Sequence, residues 1–251
     1  RGLVGSEMCI RDRKIITKNN QDFQYFSESE LTELRNESFV RSYKKGQVLF
    51  YPGDPRNHLI LLVSGVIKIE KNDRSGNFSY LHFMKKQALF PRIGLFQDEV
   101  HYDSAIAYTD IEVVFVPVKL FERFLQNNPQ QLIHWIQEQS VLLKESMIKI
   151  QKGTTNDACE RIVTSLAMLL NDLGERIDNR ERVAIACPIT INDIARMSGT
   201  TRETASSVMK KLVQMNRISY SHKFLTFLDT PFFIDPVSYT HLRAHETSLH
   251  L

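Results

Sequence analysis

The sequence predicts an α+β protein with a β-rich N-terminal half, one long helix and a basic helical module at the C-terminal end. Three observations carry this. Between Tyr43 and Pro117, short apolar runs and alternations are broken by glycines at 46, 53, 65, 76 and 94, the punctuation of short strands joined by tight turns. From Pro129 the chain runs without glycine to Gly153, with apolar residues at helical spacing. Beyond Pro188, two short segments of helical periodicity are separated by Gly199 and threonines, as two helices joined by a tight turn require.

Bulk properties narrow the function classes. A chain of 251 residues has room for two compact domains. No apolar run exceeds five residues, the length of Leu59 to Val63, against the roughly 20 of a membrane span, so no membrane role is expected. Cysteines 9, 159 and 187 form no CxxC pair, which offers neither a disulfide framework nor a metal ligand set and points to a reducing cytoplasm. P-loop, GxSxG, HExxH and Rossmann fingerprints are missing, and His58, His82 and His101 have no partner spacing, so an enzyme is not expected. The net charge of +3 is unevenly placed: residues 18–128 balance 14 basic against 14 acidic side chains, whereas 190–225 hold six against two. That local excess is the first pointer to an anionic partner. The ends, 1–13 and 237–251, resemble translated sequencing-adapter read-through and are set aside as non-native, including His241, His245 and His250.

Taking the elements in order, HLILLVSGVIKIEK joins a buried apolar run to an alternating one across Gly65. Pro52-Gly53-Asp54-Pro55 and Asp73-Arg74-Ser75-Gly76-Asn77 are turn chemistry, and a last strand from Ile111 ends at Pro117. Together they predict an antiparallel barrel or roll over 18–128. Pro129, with Asn127 or Asn128 as cap, opens the long helix, 129–152. Ile133, Ile136, Ser140, Leu143, Met147 and Ile150 follow a 3-4-3-4-3 spacing, a heptad seam for a partner helix. Leu132, Trp135, Leu142 and Ile148 lie off that stripe and are expected to face the barrel. Homodimerisation through the seam is the reading.

Residues 153–229 form the third segment. A helix from Ala158 to Leu173 stops at Gly174, and PITINDIARMSGTTRETASSVMKKLVQMNRIS follows. Here Thr190 caps a first helix with Ile191, Ile194 and Ala195 inward; Gly199 supplies the positive φ of the turn; Thr200 or Thr201 caps a second helix that buries Ala205, Val208, Leu212 and Met215. Its outer face carries Arg202, Glu203, Ser206, Ser207 and Lys210. Arg202 suits guanine O6/N7 and Glu203 suits cytosine N4, with Ser206 and Ser207 beside them as base contacts. Thr190, Asn192, Thr201, Thr204 and Lys223 are expected on phosphates, the last from a hairpin wing, Ile218–Tyr220 with Phe224–Leu228. Double-stranded DNA is therefore the expected partner. The reading from a different class is a ligand-binding or interaction module of the same fold without productive DNA contact.

Two stretches, KKGQVLFYPGDPRNHLILLVSGVIKI and TTRETASSVMKKL, resemble the barrel signature and recognition helix of the bacterial Crp/Fnr transcription regulators, over residues 18–229. The resemblance implies a cyclic-nucleotide-binding-like β-roll, a dimerisation helix, a winged helix-turn-helix and RNA polymerase as a further partner. ALFPRIGLF is most similar to regulators linked to the arginine deiminase pathway. Arg92, Gly94, Asp103 and Ser104 are the positions this resemblance assigns to an effector pocket. Pro91-Arg92 stands where cyclic-AMP-responsive members carry Gly-Glu, and Asp103-Ser104 where they carry Arg-Ser. Reversed charges disfavour cyclic AMP, and two credible thiols, Cys159 and Cys187, cannot supply the roughly four an iron–sulfur cluster takes. No cofactor is expected.

Overall fold

The computed structural model describes residues 16–72, 79–153, 155–177 and 182–234. The adapter-like ends, 1–13 and 237–251, and the Asp73–Asn77 turn lie outside the described residues. The chain divides into two compact units: residues up to 71 together with 83–146, and residues 72–82 together with 147 onward. The division falls within the long helix.

In the first unit a 3₁₀ turn, Gln21–Phe23, precedes helix α1, Glu28–Glu37. A capping box starts α1: Ser27 Oγ accepts from the Glu30 N–H at 3.3 Å and Glu30 Oε2 accepts from the Ser27 N–H at 2.7 Å. Strands follow as β1 Phe39–Tyr43, β2 Val48–Phe50, β3 His58–Ser64, β4 Ile67–Asn72, β5 Ser79–Met84, whose residues 79–82 count with the second unit, β6 Leu89–Phe90, β7 Ser104–Ala107 and β8 Ile111–Pro117. They make two four-stranded sheets, ordered β1-β8-β3-β6 and β2-β7-β4-β5. The pairings that fix the roll are antiparallel, including β3 on β8 with Ile60 opposite Phe115 and β4 on β7 with Ile69 opposite Ala105.

Strand β3 shows why the Leu59–Val63 run is continuously apolar. Ile60 and Leu62 point into a core with Phe50, Ile67, Ile69, Phe90, Ala105, Ile111 and Val113. Leu59 and Leu61 point the other way, into a core with Phe23, Phe26, Leu31, Leu34, Val114, Val116, Phe121 and Trp135. A strand buried on both faces needs no alternation. Gly65 turns β3 into β4 at φ +83°, and a Cβ there would stand 2.3 Å from the Asp110 carbonyl oxygen, so only glycine fits.

Helix α2, Val118–Asn127, carries Phe121 into the second core, where its ring stands edge-on to Phe23, Phe26 and Trp135. Trp135 and Leu132 belong to α3, Pro129–Gly153, whose cap is Asn128: its Oδ1 accepts from the Gln131 N–H at 3.0 Å. Asn127 instead ends α2. The expected barrel-facing set is only half realised. Leu132 and Trp135 pack into the core, but Leu142 and Ile148 are exposed, because the chain of the first unit covers only the opening turns of α3.

In the second unit, α4, Ala158–Leu173, begins at Asp157, whose side chain accepts from the Cys159 and Glu160 N–H groups. A four-stranded sheet follows in the order β11-β12-β10-β9, from β9 Gly174–Arg176, β10 Val183–Ile185, β11 Ile218–Ser221 and β12 Phe224–Phe227. Helices α5, Ile191–Ser198, and α6, Arg202–Gln214, lie between β10 and β11 in sequence, and α7, Thr230–Ile234, closes the unit. Among the described residues no helix is long and apolar enough to cross a membrane.

Candidate nucleic-acid interface and barrel site

Helix α5 begins with a capping box: Thr190 Oγ1 accepts from the Asp193 N–H at 3.1 Å, and Asp193 Oδ2 accepts from the Thr190 N–H at 3.1 Å. It ends at Gly199 in the left-handed region, φ +57°, where the Thr200 N–H returns to the Ala195 carbonyl at 2.9 Å. Arg161 of α4 pins this turn, donating from Nε to the Ser198 carbonyl at 2.9 Å and from Nη1 to the Thr155 carbonyl at 2.8 Å. Thr201 caps α6, accepting from the Thr204 N–H at 3.2 Å, while the Thr200 hydroxyl pairs with Ser198 Oγ at 2.9 Å. Ala195, Ala205 and Leu212 are buried, so α5 and α6 cross closely.

Helix α6 buries Ala205, Val208, Met209 and Leu212. Met209 takes a core place that the spacing assigned to Met215, which is only half-buried because it is the C-cap. Arg202, Glu203, Ser207 and Lys210 are exposed and Ser206 half-buried. These five, with Ile191, line a concave surface of about 370 Å³. Hydrogen bonds from its own backbone N–H and from the Thr201 hydroxyl, with Arg202 nearby, hold the Glu203 carboxyl below the ordinary value. One first turn thus presents a fixed cation and an ionised acceptor side by side. Ile191 departs from expectation: its side chain is half-buried and lines this concavity, while Ile194 and Ala195 turn inward.

Of the expected phosphate contacts, Asn192 and Lys223 are exposed. Lys223 and His222 form a two-residue turn with φ +72° and +51° between β11 and β12, the backbone of a tight hairpin. Thr190 gives its hydroxyl proton to Asp193 Oδ2 at 2.5 Å, so that donor is committed to the cap. The hydroxyls of Thr201 and Thr204 lie 3.1 Å apart and hydrogen-bond to each other.

The expected effector residues do not converge on one cavity. Arg92 turns away from the barrel, pairs with Asp22, which is 2% exposed, and stacks over the Trp135 ring at 4.8 Å. Gln131 of α3 donates to the Asp22 carbonyl at 3.1 Å and accepts from the Tyr25 N–H at 2.8 Å. Burial outweighs the guanidinium and holds the Asp22 carboxyl above its ordinary value. Gly94 sits in a turn at φ +80°, its carbonyl accepting from Arg56 Nη1 at 3.2 Å, and Ser104 pairs with Glu70 in the β7–β4 ladder. Asp103 is buried, and burial raises its pKa. A concave site of about 270 Å³ lies instead among Leu49, Phe50, Asp54, Pro55, His58, Ile60, His101 and Phe115. His101 stacks on Phe50 at 3.6 Å, and burial, reinforced by Arg56, lowers its pKa to about 4. Alternation flagged neither side chain of this stack, since the turns flanking 54 and 101 bring them together.

Along α3 the heptad stripe is open: Ile133, Ile136, Leu143, Met147 and Ile150 are each 55–67% exposed, and Ser140 is exposed beside them.

A roll of two antiparallel sheets, an open apolar helix seam and a winged helix-turn-helix define a DNA-binding regulator with a ligand-binding-type N-terminal domain. Residues 40–128 match the cyclic nucleotide-binding domain, and residues 160–231 match the Crp-like helix-turn-helix domain. The chain belongs to the Crp/Fnr family of transcription regulators. It is 28% identical over 215 residues to the HTH-type transcriptional regulator ArcR of Staphylococcus epidermidis, covering 84% of this chain and 92% of the relative. It is 24% identical over 189 residues to the global nitrogen regulator of Synechococcus elongatus, covering 74% and 84%. Among solved structures it shares the fold of FixK2 from Bradyrhizobium japonicum, with TM-score 0.66 and 19% identity over 78% of this chain and 95% of that one. It also shares the fold of the c-di-GMP responsive global regulator CLP of Xanthomonas campestris, with TM-score 0.63 and 19% identity over 80% and 99%. It is a sequence-specific DNA-binding transcription regulator of the Crp/Fnr type.

Proposed function

We propose that the chain acts as a homodimer on a near-palindromic operator, with α6 of each protomer in the major groove and half-sites about one helical turn, roughly 34 Å, apart. The observation that carries this is the first turn of α6. Arg202 and Glu203 are exposed there beside a shaped concavity, at the end of the helix that meets base edges in this motif. Arg202 and Glu203 specify a G·C-containing half-site, and Ser206 and Ser207 add single hydroxyl bonds that tolerate several bases. Asn192, Thr201, Thr204 and Lys223 hold phosphates, and Thr190 contributes by fixing the start of α5. The α3 stripe supplies the dimer contact.

The roll is not built for cyclic AMP. Arg92 is already neutralised by Asp22, and a buried Asp103 would repel a phosphate. Two described thiols, Cys159 and Cys187, fall short of a cluster's ligand set. On this reading the roll takes neither cyclic AMP nor an iron–sulfur cluster as its ligand, and RNA polymerase is a further partner in the cytoplasm. The relatives named above are transcription regulators, which agrees with a non-enzymatic role. The test is a gel shift with genomic fragments across a salt series. Sequence-dependent retardation whose affinity falls steeply with salt is expected; salt-independent or undetectable binding would leave only an interaction module.

A further inference from the structure

We infer that Ile191 is a specificity-determining residue that reads the 5-methyl group of a thymine beside the base pairs facing Arg202 and Glu203. The inference rests on the DNA-binding reading of α6 and names a contact which that reading lacks. Thr190 and its capping box fix where α5 begins, so Ile191, the first helical residue, has a set direction. The inward positions of α5 are filled by Ile194 and Ala195, both buried. Ile191 instead shares a concavity with Arg202, Glu203, Ser206, Ser207 and Lys210, where every other side chain is polar or charged.

An isoleucine has no donor for a phosphate and no acceptor for a base amine. Being β-branched, it is restricted at χ1 and presents a stiff methyl surface. Ser206 and Ser207 are short, so they leave the floor beside it open. Among base edges in the major groove the apolar feature is the thymine methyl. Covering one methyl at about 0.8 kcal/mol corresponds to about fourfold in affinity per half-site.

The experiment uses a duplex selected from a random pool by the full-length protein. Each thymine is then replaced singly by deoxyuridine, which removes only the methyl, and the change is made at both symmetric half-sites. Titrations compare the wild type, Ile191→Ala and Ile191→Val by fluorescence anisotropy. The wild type should lose about fifteenfold, fourfold squared, at one symmetric thymine pair. Ile191→Ala should bind the parent duplex weaker by a similar factor and be indifferent to deoxyuridine at that pair. Ile191→Val, which keeps a β-branched apolar surface, should show a smaller methyl penalty than the wild type. An Ile191→Ala protein that retains the full methyl penalty overturns the inference, as does a wild type insensitive to every thymine methyl. If Ile191→Ala binds nothing, Ile191→Val decides: a penalty equal to that of the wild type overturns the inference. A wild type that enriches no sequence refutes the underlying DNA reading, a different failure from specific binding without methyl sensitivity.

Discussion

Replacing Ile136 by aspartate places a carboxylate in the middle of the α3 stripe, where the side chain is 55% exposed in one protomer. The fold of the protomer gives no reason for the variant to unfold, so the effect falls on association. In a symmetric pair the change occurs twice. Covering the exposed part of an isoleucine stabilises by about 1 kcal/mol, so about 2 kcal/mol is lost from the two copies. The two carboxylates must in addition leave water for an apolar seam, at several kcal/mol each after relaxation. The sum is at least about 6 kcal/mol, more than ten-thousandfold in the dimer Kd. Sedimentation velocity at micromolar protein should show a dimer for the wild type and a monomer of native circular dichroism for the variant. Leu143→Asp, two turns further along, should behave alike. Full-strength dimers from both variants would refute the seam.

Other perturbations separate the remaining parts. Arg92→Ala leaves the buried Asp22 carboxylate unpaired and should cost about 3–5 kcal/mol of stability in urea unfolding, with the Asp22→Leu/Arg92→Met pair recovering most of it; a single variant within 0.5 kcal/mol of wild type would contradict the ion pair. His101 binds its proton near pH 4 in the fold but near 6.5 when unfolded, so the unfolded chain takes up the proton first as pH falls. Stability from His101 is therefore complete above pH 6.5 and is lost progressively as pH falls from 6.5 to 4, by at most about 3.4 kcal/mol, with no further loss below; His101→Phe, which keeps the stack on Phe50, should flatten that part of the stability–pH curve. Calorimetry with cyclic AMP should show no saturable binding below millimolar concentration, and submillimolar binding would overturn the reading of Arg92 and Asp103. Lys223→Ala should weaken all duplexes alike and flatten the salt slope, whereas a change confined to one sequence would make it a base contact.

Much of this architecture is legible in local chemistry. Gly65 and Gly199 mark turns that demand positive φ, Thr190 and Thr201 mark helix starts, and the open side of α3 follows from spacing alone. Helix α1 escaped the periodicity reading although Ser27 and Glu30 spell its capping box. Helix α2 was hidden because it follows β8 directly, with no glycine or polar spacer between Pro117 and Val118. The short strands β9 and β10 owe their state to pairing, β10 with β12 and β9 with β10, rather than to propensity. Candidate site residues were legible where they lie on one helix, as Arg202 and Glu203 do. They were not where partners come from distant segments: Asp22 captures Arg92 across 70 residues, and Ile191 lines the concavity beside α6 although its helical spacing places it inward.

Everything proposed for DNA recognition depends on the first turn of α6 reading base pairs. Binding-site selection from random duplexes, run in parallel with wild type and Arg202→Ala, measures it directly. The wild type should enrich an inverted repeat with a G·C pair at a fixed place in each half-site, while Arg202→Ala should lose about 1–3 kcal/mol per half-site and accept other bases at that one position. A consensus from Arg202→Ala identical to that of the wild type would contradict the account and return this helix face to solvent.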